Sequence, residues 1–158
     1  MPEHSCGLLL YRRDHDALRV LVCHPGGPFW RNRDAGAWTL PKGAPEGDES
    51  PEATALREFA EEIGTPVSGR LQPLGRIRQK GGKWVDAFAL EGDFDPARLD
   101  SNLFACEWPP RSGKLQQYPE IDRVRWATLD EARALLLPAQ CEFLDRLQAL
   151  IAAHNAER

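Results

Sequence analysis

The chain has 158 residues, a formal net charge of −4, 42% hydrophobic and 28% charged residues. That length suits a single domain over residues 1–158 with a substantial core, and the acidic balance argues against a general nucleic-acid binder, which needs a basic footprint. No apolar run approaches the ~20 residues that cross a membrane, Met1-Pro2-Glu3-His4 does not open a secretory signal, and Cys6, Cys23, Cys106 and Cys141 are scattered without a CxxC pair; zinc and a disulfide framework are therefore not expected, and a cytoplasmic protein with reduced thiols is.

In chain order, Cys6 to Tyr11 and Leu18 to Cys23 are apolar β-like runs separated by the charged turn Arg12 to Asp16, the pattern of a hairpin. A Gly/Pro-rich loop from His24 to Arg31 follows, then a short strand from Ala37 to Leu40. Ser50 is a fitting N-cap and Pro51 a fitting first helical residue, since the N–H that proline lacks has no partner at that position. The helix predicted from Pro51 stops at Gly64, with Pro66 beyond it. At helical spacing Ala53, Leu56, Ala60 and Ile63 share an apolar face, with Glu58, Glu61 and Glu62 opposite. Gly69 to Gln79 and Lys83 to Leu90 are expected strands joined around Gly81-Gly82. Phe104 to Trp108 and Arg123 to Trp126 are two more, with a polar, proline-containing loop before Glu120. Leu129 to Leu137 and Pro138 to Ala153 complete the chain as helices, Asp130 and Glu131 favouring the start of the first through the helix dipole. There is no repeat, low-complexity tract or linker.

The stretch Gly43 to Thr65, GAPEGDESPEATALREFAEEIGT, carries the chemistry. Glu58, Glu61 and Glu62 recur at spacings of three and four, so they crowd on a helix and repel. A hard divalent cation reverses that sign, because Mg²⁺ and Mn²⁺ prefer oxygen ligands. Gly43, five residues, Glu49, seven residues, then Arg57-Glu58-Phe59-Ala60-Glu61-Glu62-Ile63-Gly64 resembles the box of the Nudix hydrolases. At ~7% per fixed residue type, seven chance matches in a chain this long are on the order of one in a million, so coincidence is set aside. One departure is Thr65, where the family usually has an aliphatic residue and assigns no chemistry.

The resemblance implies an α/β Nudix fold, a mixed β-sheet sandwiched between helices. It also implies cleavage of a diphosphate by attack of a metal-activated water on phosphorus, with Mg²⁺ or Mn²⁺ as cofactor. Glu58, Glu61 and Glu62 correspond to the family's metal-binding carboxylates, joined by a backbone carbonyl at Lys42 or Gly43. Glu49 and Arg57 correspond to a structural brace. The general base varies within the family, either a glutamate of the box or a distant carboxylate, for which Glu120 is the candidate here.

Trp38-Thr39-Leu40-Pro41-Lys42-Gly43 resembles the lead-in found in Nudix members that cleave diadenosine polyphosphates and diphosphoinositol polyphosphates. It places Lys42 near phosphate, while Trp38 and Leu40 are equally well read as core. Phe29 and Trp30 either stack a nucleobase or pin their loop. His24 is a candidate phosphate donor. Arg76, Arg78 and Lys80 alternate along a strand and so share a face, which together with Lys83 is read as a phosphate-facing row or a solvated edge. Arg111 and Lys114 form a second possible clamp. Lys80-Gly81-Gly82-Lys83-Trp84 stands where some Nudix groups carry a diagnostic Pro or Tyr, so those markers are missing. The expected activity is pyrophosphohydrolysis of a nucleoside polyphosphate, with a dinucleoside polyphosphate as best guess. Alternatives are a nucleoside triphosphate, an RNA 5′ end, or a nucleotide sensor that does not cut. A homodimer is compatible with the family.

Overall fold

The molecule, described by a computed structural model over residues 4–14 and 17–156, is organised on β1 (His4–Asp14). Its residues Cys6 to Tyr11 are all buried, the pattern of a strand covered on both faces. β1 pairs in antiparallel with β2 (Ala17–Pro25) through Tyr11↔Val20 to Asp14↔Ala17. Residues 15 and 16 of the expected turn lie outside the described residues, and its earlier part, Arg12 to Asp14, continues the strand. β1 also pairs in parallel with a strand late in the sequence, so the sheet is mixed.

Toward its N-terminal end β1 parts from β2, and the segment Trp38 to Gly43 occupies the gap. Cys23 and Thr39 exchange backbone hydrogen bonds at 2.8 Å in both directions, and the Leu8 N–H donates to the Pro41 carbonyl at 3.1 Å. β3 (Lys42–Gly43) then pairs with Gly7 and Cys6. The expected strand from Ala37 to Leu40 is thus two isolated bridges, Cys23↔Thr39 and Trp38↔Leu136. The segment hydrogen-bonds to a different partner every residue or two, so no ladder forms with any one of them. Gly7 makes the crossing possible, since a Cβ there would stand 2.2 Å from Leu40 Cδ1.

The remaining strands are β4 (Gln72–Arg78), β5 (Trp84–Glu91), β6 (Leu103–Glu107), β7 (Leu115–Pro119) and β8 (Ile121–Thr128). The main sheet runs β4-β5-β1-β2-β8, with β3 attached to β1. β6 and β7 form a separate two-stranded ribbon. β7 corrects the loop expected before Glu120, because Leu115-Gln116-Gln117-Tyr118 is too polar to read as a strand and is held by pairing with β6.

Helices cover both faces. On one side α2 (Leu129–Leu135) and α3 (Cys141–Ala156) lie over a core that includes Leu9, Val20, Val22, Trp38, Leu40, Phe143 and Leu147. The expected helix from Pro138 begins instead as a 3-10 turn, Pro138–Gln140. Thr128 and Glu131 cap α2 reciprocally. On the other side α1 (Pro51–Ile63) covers Cys6, Leu8, Leu10, Leu21 and Cys23. The Ser50 hydroxyl accepts from the Ala53 N–H, and Gly64 closes the helix at φ 89°.

The face that α1 buries differs from the expected one. Thr54, Ala55, Phe59 and Ile63 are buried, whereas Ala53 is exposed. The series 55, 59, 63 carries the largest apolar side chain, Phe59, and this sets the helix rotation. Glu58 and Glu62 each precede a buried residue by one position, so they stand at the border of the buried face instead of opposite it. Phe59 is fully buried, and Phe59→Ala should therefore cost about 3–5 kcal/mol, read as a lowered denaturation midpoint in urea.

Candidate active site

The crossing of Trp38 to Gly43 through the sheet brings β3 directly under α1. A Cβ on Gly43 would lie 2.0–2.4 Å from the Glu58 carboxyl atoms, so only glycine allows this approach of backbone to carboxylate. The Lys42 N–H donates to the Glu62 carboxylate, and the Lys42 ammonium acts on both Glu62 and Glu120. Glu62 in turn feels Glu58 and Glu120. Groups from three separate segments, Lys42, Glu58 with Glu62 on α1, and Glu120, therefore converge.

The convergence of Glu120 has a structural cause that leaves no mark in the sequence. After α1 the chain returns along its C-terminal end, where the Asn102 N–H donates to the Glu61 carbonyl (2.9 Å) and the Glu120 N–H to the Asn102 carbonyl (2.8 Å). The ribbon β6–β7 therefore leaves and re-enters the fold beside the carboxylates.

Arg57 organises the outer side of the cluster. Its Nε and Nη2 donate to Glu49 Oε2 and Oε1 at 2.9 and 3.0 Å, and Nη2 also reaches the Ala44 carbonyl at 2.9 Å. Nη1 donates to Glu58 at 3.0 Å and to Glu61 at 3.2 Å. The bidentate pair holds Glu49 down at about 2, helped by the Thr54 hydroxyl. Glu61 is thus held by Arg57.

Burial pushes Glu62 up to about 8, with Glu58 and Glu120 adding to the effect and Lys42 opposing it. Glu58 and Glu120 are also raised, each chiefly by burial, against Arg57 and Lys42 respectively. Concentrated negative charge with one lysine to answer it, lined by carboxylate and carbonyl oxygens, fits a hard divalent cation.

The other sequence candidates distribute as follows. His24 is fully buried, its Nδ1 2.7 Å from Asp122 and its Nε2 2.7 Å from the Arg33 carbonyl. Both ring nitrogens are used in holding the loop, which corrects the reading of His24 as a phosphate donor. Trp38 and Leu40 are core residues. Phe29 is 57% exposed and meets Trp30 edge-on at 5.1 Å with Arg33 stacked above it, while Trp30 packs against the core. Their loop touches the ribbon: the Gly26 N–H donates to the Glu120 carbonyl at 2.9 Å, and Gly27 lies against Phe104.

Arg76 and Arg78 share a face and both approach the Trp84 ring, but Lys80 is not in their row. β4 ends at Arg78, and Gln79 to Lys83 form a turn closed by a 2.7 Å backbone bond. Arg76 is already committed to Asp86, at 3.0 and 3.1 Å. Lys83 is exposed at the end of that turn, and Arg111 and Lys114 are exposed at the ribbon tip. The aromatic pair Phe104–Tyr118, with centroids 6.2 Å apart, was not legible, because it exists only through β6–β7 pairing. A cleft of about 600 Å³ lined by Tyr11, Arg13, Arg70 and His154 sits at the opposite end of β1 from the carboxylates, so concavity alone does not mark this site.

Two measurements check the electrostatics. A carboxyl raised in the folded state binds more protons there than when unfolded, so its contribution to stability falls as pH rises between the two values. Metal-free protein should lose melting temperature between about pH 4.5 and 8, and Glu62→Gln should flatten that fall. Gly43→Ala should weaken divalent-cation binding about tenfold or more while Glu58 is displaced, measured by calorimetric titration with Mn²⁺.

Comparison with known proteins agrees with this geometry. The family profile described as NUDIX domain matches residues 1–147. The chain is 31% identical over 127 residues to an RNA pyrophosphohydrolase of Acidiphilium cryptum, covering 70% of this chain and 68% of that protein. It is 32% identical over 152 residues to one of Gluconacetobacter diazotrophicus, covering 77% and 79%. A Caenorhabditis elegans Ap4A hydrolase crystallised as a binary complex shares the fold, with TM-score 0.65, 19% identity and coverage of 94% of this chain and 98% of that one. A mixed sheet between helices, a glycine-backed carboxylate cluster and these matches lead to one assignment: the chain belongs to the NUDIX family and is a hydrolase acting on diphosphate bonds.

Proposed function

We propose that the protein is a divalent-metal-dependent pyrophosphohydrolase of nucleoside polyphosphates, with dinucleoside polyphosphates as the first substrate class. The carrying observation is the convergence of Lys42, Glu58, Glu62 and Glu120 around β3. Glu58, Glu61, Glu62 and the Gly43 carbonyl are the groups to hold Mg²⁺ or Mn²⁺. Bound there, the ion supplies neutralisation of diphosphate charge and a more acidic water.

The chain's own residues do the rest. Arg57 keeps Glu58 and Glu61 in place and, through Glu49 and Ala44, ties the loop to the helix; all its donors are engaged with protein acceptors, so it braces instead of binding substrate. Lys42 lies where an incoming phosphate oxygen replaces the carboxylates as its partner. Glu120 enters from a different element than the box and is the candidate to accept a proton from the attacking water. Phe29, exposed and stiffened by Trp30 and Arg33, offers a face for a nucleobase, with Trp30 as its support. Arg78 and Lys83 lie on or beside a neighbouring sheet face and suit the distal phosphates, while Arg76 beside them is held by Asp86. Catalysis on this reading is mostly positioning and electrostatics, as expected for phosphoryl transfer.

The second reading is the triphosphorylated 5′ end of an RNA, favoured by the relatives described as RNA pyrophosphohydrolases, two of them above 30% identity over 127 and 152 residues. The acidic chain gives an RNA body little electrostatic hold, so an RNA substrate would be recognised at its terminal nucleotide.

Turnover of diadenosine polyphosphates, nucleoside triphosphates and triphosphorylated RNA with Mg²⁺ in ¹⁸O-labelled water tests both readings. The first expects fastest cleavage of a dinucleoside polyphosphate; faster cleavage of the RNA end selects the second, and tight binding without any turnover defeats both in favour of a sensor. Glu120→Gln should lower kcat about 10²-fold or more with little change in KM if it serves as base; an unchanged kcat removes it from that role.

A further inference from the structure

A different set of metal donors meets at the β5 edge of β1, on the face that α1 covers. His4 and Cys6 stand two residues apart on β1 and so project to the same face. Asp86 on β5 lies directly beside Cys6 in the parallel register. One ligand atom from each of the three lies within 4.8 Å of the others. His4 Nε2 is 2.5 Å from Asp86 Oδ2 and 3.8 Å from Cys6 Sγ.

A catalytic-triad reading fails on this geometry. A relay needs the thiol on one imidazole nitrogen and the carboxylate on the other, whereas here both face the same Nε2. Burial pushes the Cys6 thiol up to about 11, with Asp86 adding to it, so the sulfur is also a poor nucleophile while it stands alone. Coordination chemistry suits the trio better. Thiolate, imidazole and carboxylate together select a borderline metal over Mg²⁺, and one thiolate plus one carboxylate match the charge of a divalent ion.

We propose that His4, Cys6 and Asp86 form a second metal site, separate from the box carboxylates, that takes Zn²⁺ or a similar borderline transition-metal ion. At bond lengths of about 2.0–2.3 Å to N, O and S, tetrahedral ligands stand roughly 3.4–3.6 Å apart. The observed Cys6–His4 separation is already close to that. The His4–Asp86 contact must open by about 1 Å, which is within the reach of an imidazole at the start of a strand. His4 and Asp86 side chains are 32% and 18% exposed, which leaves a path for the ion and a fourth position for solvent, the pattern of an open site with three protein ligands. Arg76 grips Asp86 from outside at 3.0 and 3.1 Å, the position from which an outer partner orients a metal-binding carboxylate. The absence of a CxxC pair made zinc unexpected from the sequence. The ligands are scattered because the parallel pairing of β1 with β5 assembles them across 82 residues.

The site sits one strand away from the diphosphate chemistry. Cys6 is the register partner of Gly43, so an ion bound to Cys6 would stiffen the backbone on which the box carboxylates rest.

The test is titration of the full chain with Co²⁺ in excess Mg²⁺, under a phosphine reductant, followed by absorption. One equivalent should produce a thiolate-to-cobalt charge-transfer band in the near ultraviolet, displaced by one equivalent of Zn²⁺. Cys6→Ser should abolish the band, and His4→Ala, at the partly exposed end of the strand, should weaken binding about tenfold or more. No thiolate band in the unmodified chain overturns the site, as does a band that survives Cys6→Ser and so belongs to another cysteine. Unchanged affinity in His4→Ala, or displacement of Co²⁺ by Mg²⁺, overturns it too.

Discussion

The insertion of Trp38 to Gly43 between β1 and β2 is the constraint on which the rest of the molecule depends. A hairpin as apolar as β1–β2 would normally zip along its whole length. Here only its turn-proximal residues pair, and the parted backbones satisfy their hydrogen bonds with Thr39, Pro41, Lys42 and Gly43 instead. An unpaired buried backbone group costs about as much as a lost hydrogen bond, so the inserted segment is required by the strands as much as it requires them. Gln140 locks it from behind: the side-chain amide donates to Thr39 and Gln79 and accepts from the Leu40 N–H. The segment is therefore rigid where it delivers Lys42 and Gly43 to α1.

Rigidity matters because the site concentrates like charge. Three glutamates within five positions of one helix oppose helix formation, and they are tolerated for two different reasons. Glu58 and Glu61 are answered by Arg57, whose guanidinium is itself held charged by Glu49. Glu62 and Glu120 have no full counter-charge, with Lys42 serving both. A cluster that is not fully neutralised is tolerated because α1 is anchored elsewhere, by Phe59 and Ile63 in the core and by caps at both ends. Packing energy on one face of the helix offsets electrostatic repulsion at its border. That division explains why the buried series is rotated by about one residue from the pattern in Ala53, Leu56, Ala60 and Ile63: the site needs Glu58 and Glu62 against the sheet, and small residues leave the rotation free to Phe59.

What was legible in the sequence follows from the range of the interactions involved. The caps of α1, the pairing of Glu49 with Arg57 and the burial of Trp38 and Leu40 depend on residues close in sequence or on side-chain character, and they are as expected. The fold class was legible through the box and the order of elements. The insertion into the sheet was not, since no local pattern distinguishes a short strand from a segment that bonds to four partners in turn. The ribbon β6–β7 was half seen: Phe104 to Trp108 reads as a strand, while Leu115 to Pro119 is too polar to do so alone. His24 misled because a histidine in a Gly/Pro loop resembles a ligand-binding residue, and only the buried partners Asp122 and Arg33 show it as a tether.

Two donor sets of opposite character thus flank one short backbone pairing, Cys6 with Gly43. Toward β3 and α1 the donors are carboxylate and carbonyl oxygens, suited to an ion that keeps its water and exchanges readily. Toward β5 the donors are sulfur, nitrogen and a single carboxylate, suited to an ion held by softer bonds. The separation is built by strand order. Parallel pairing with β5 gives β1 an acidic neighbour at Asp86, and antiparallel pairing with β3 gives it the glycine that admits Glu58. Because metals compete for sites by affinity, and transition metals bind mixed donors more tightly than Mg²⁺ does, a thiolate site beside a hard-oxygen site would keep scarce borderline ions off the carboxylates. Discrimination between metals would then come from which strand neighbours which, and Cys6 is the residue shared by the β3 and β5 pairings.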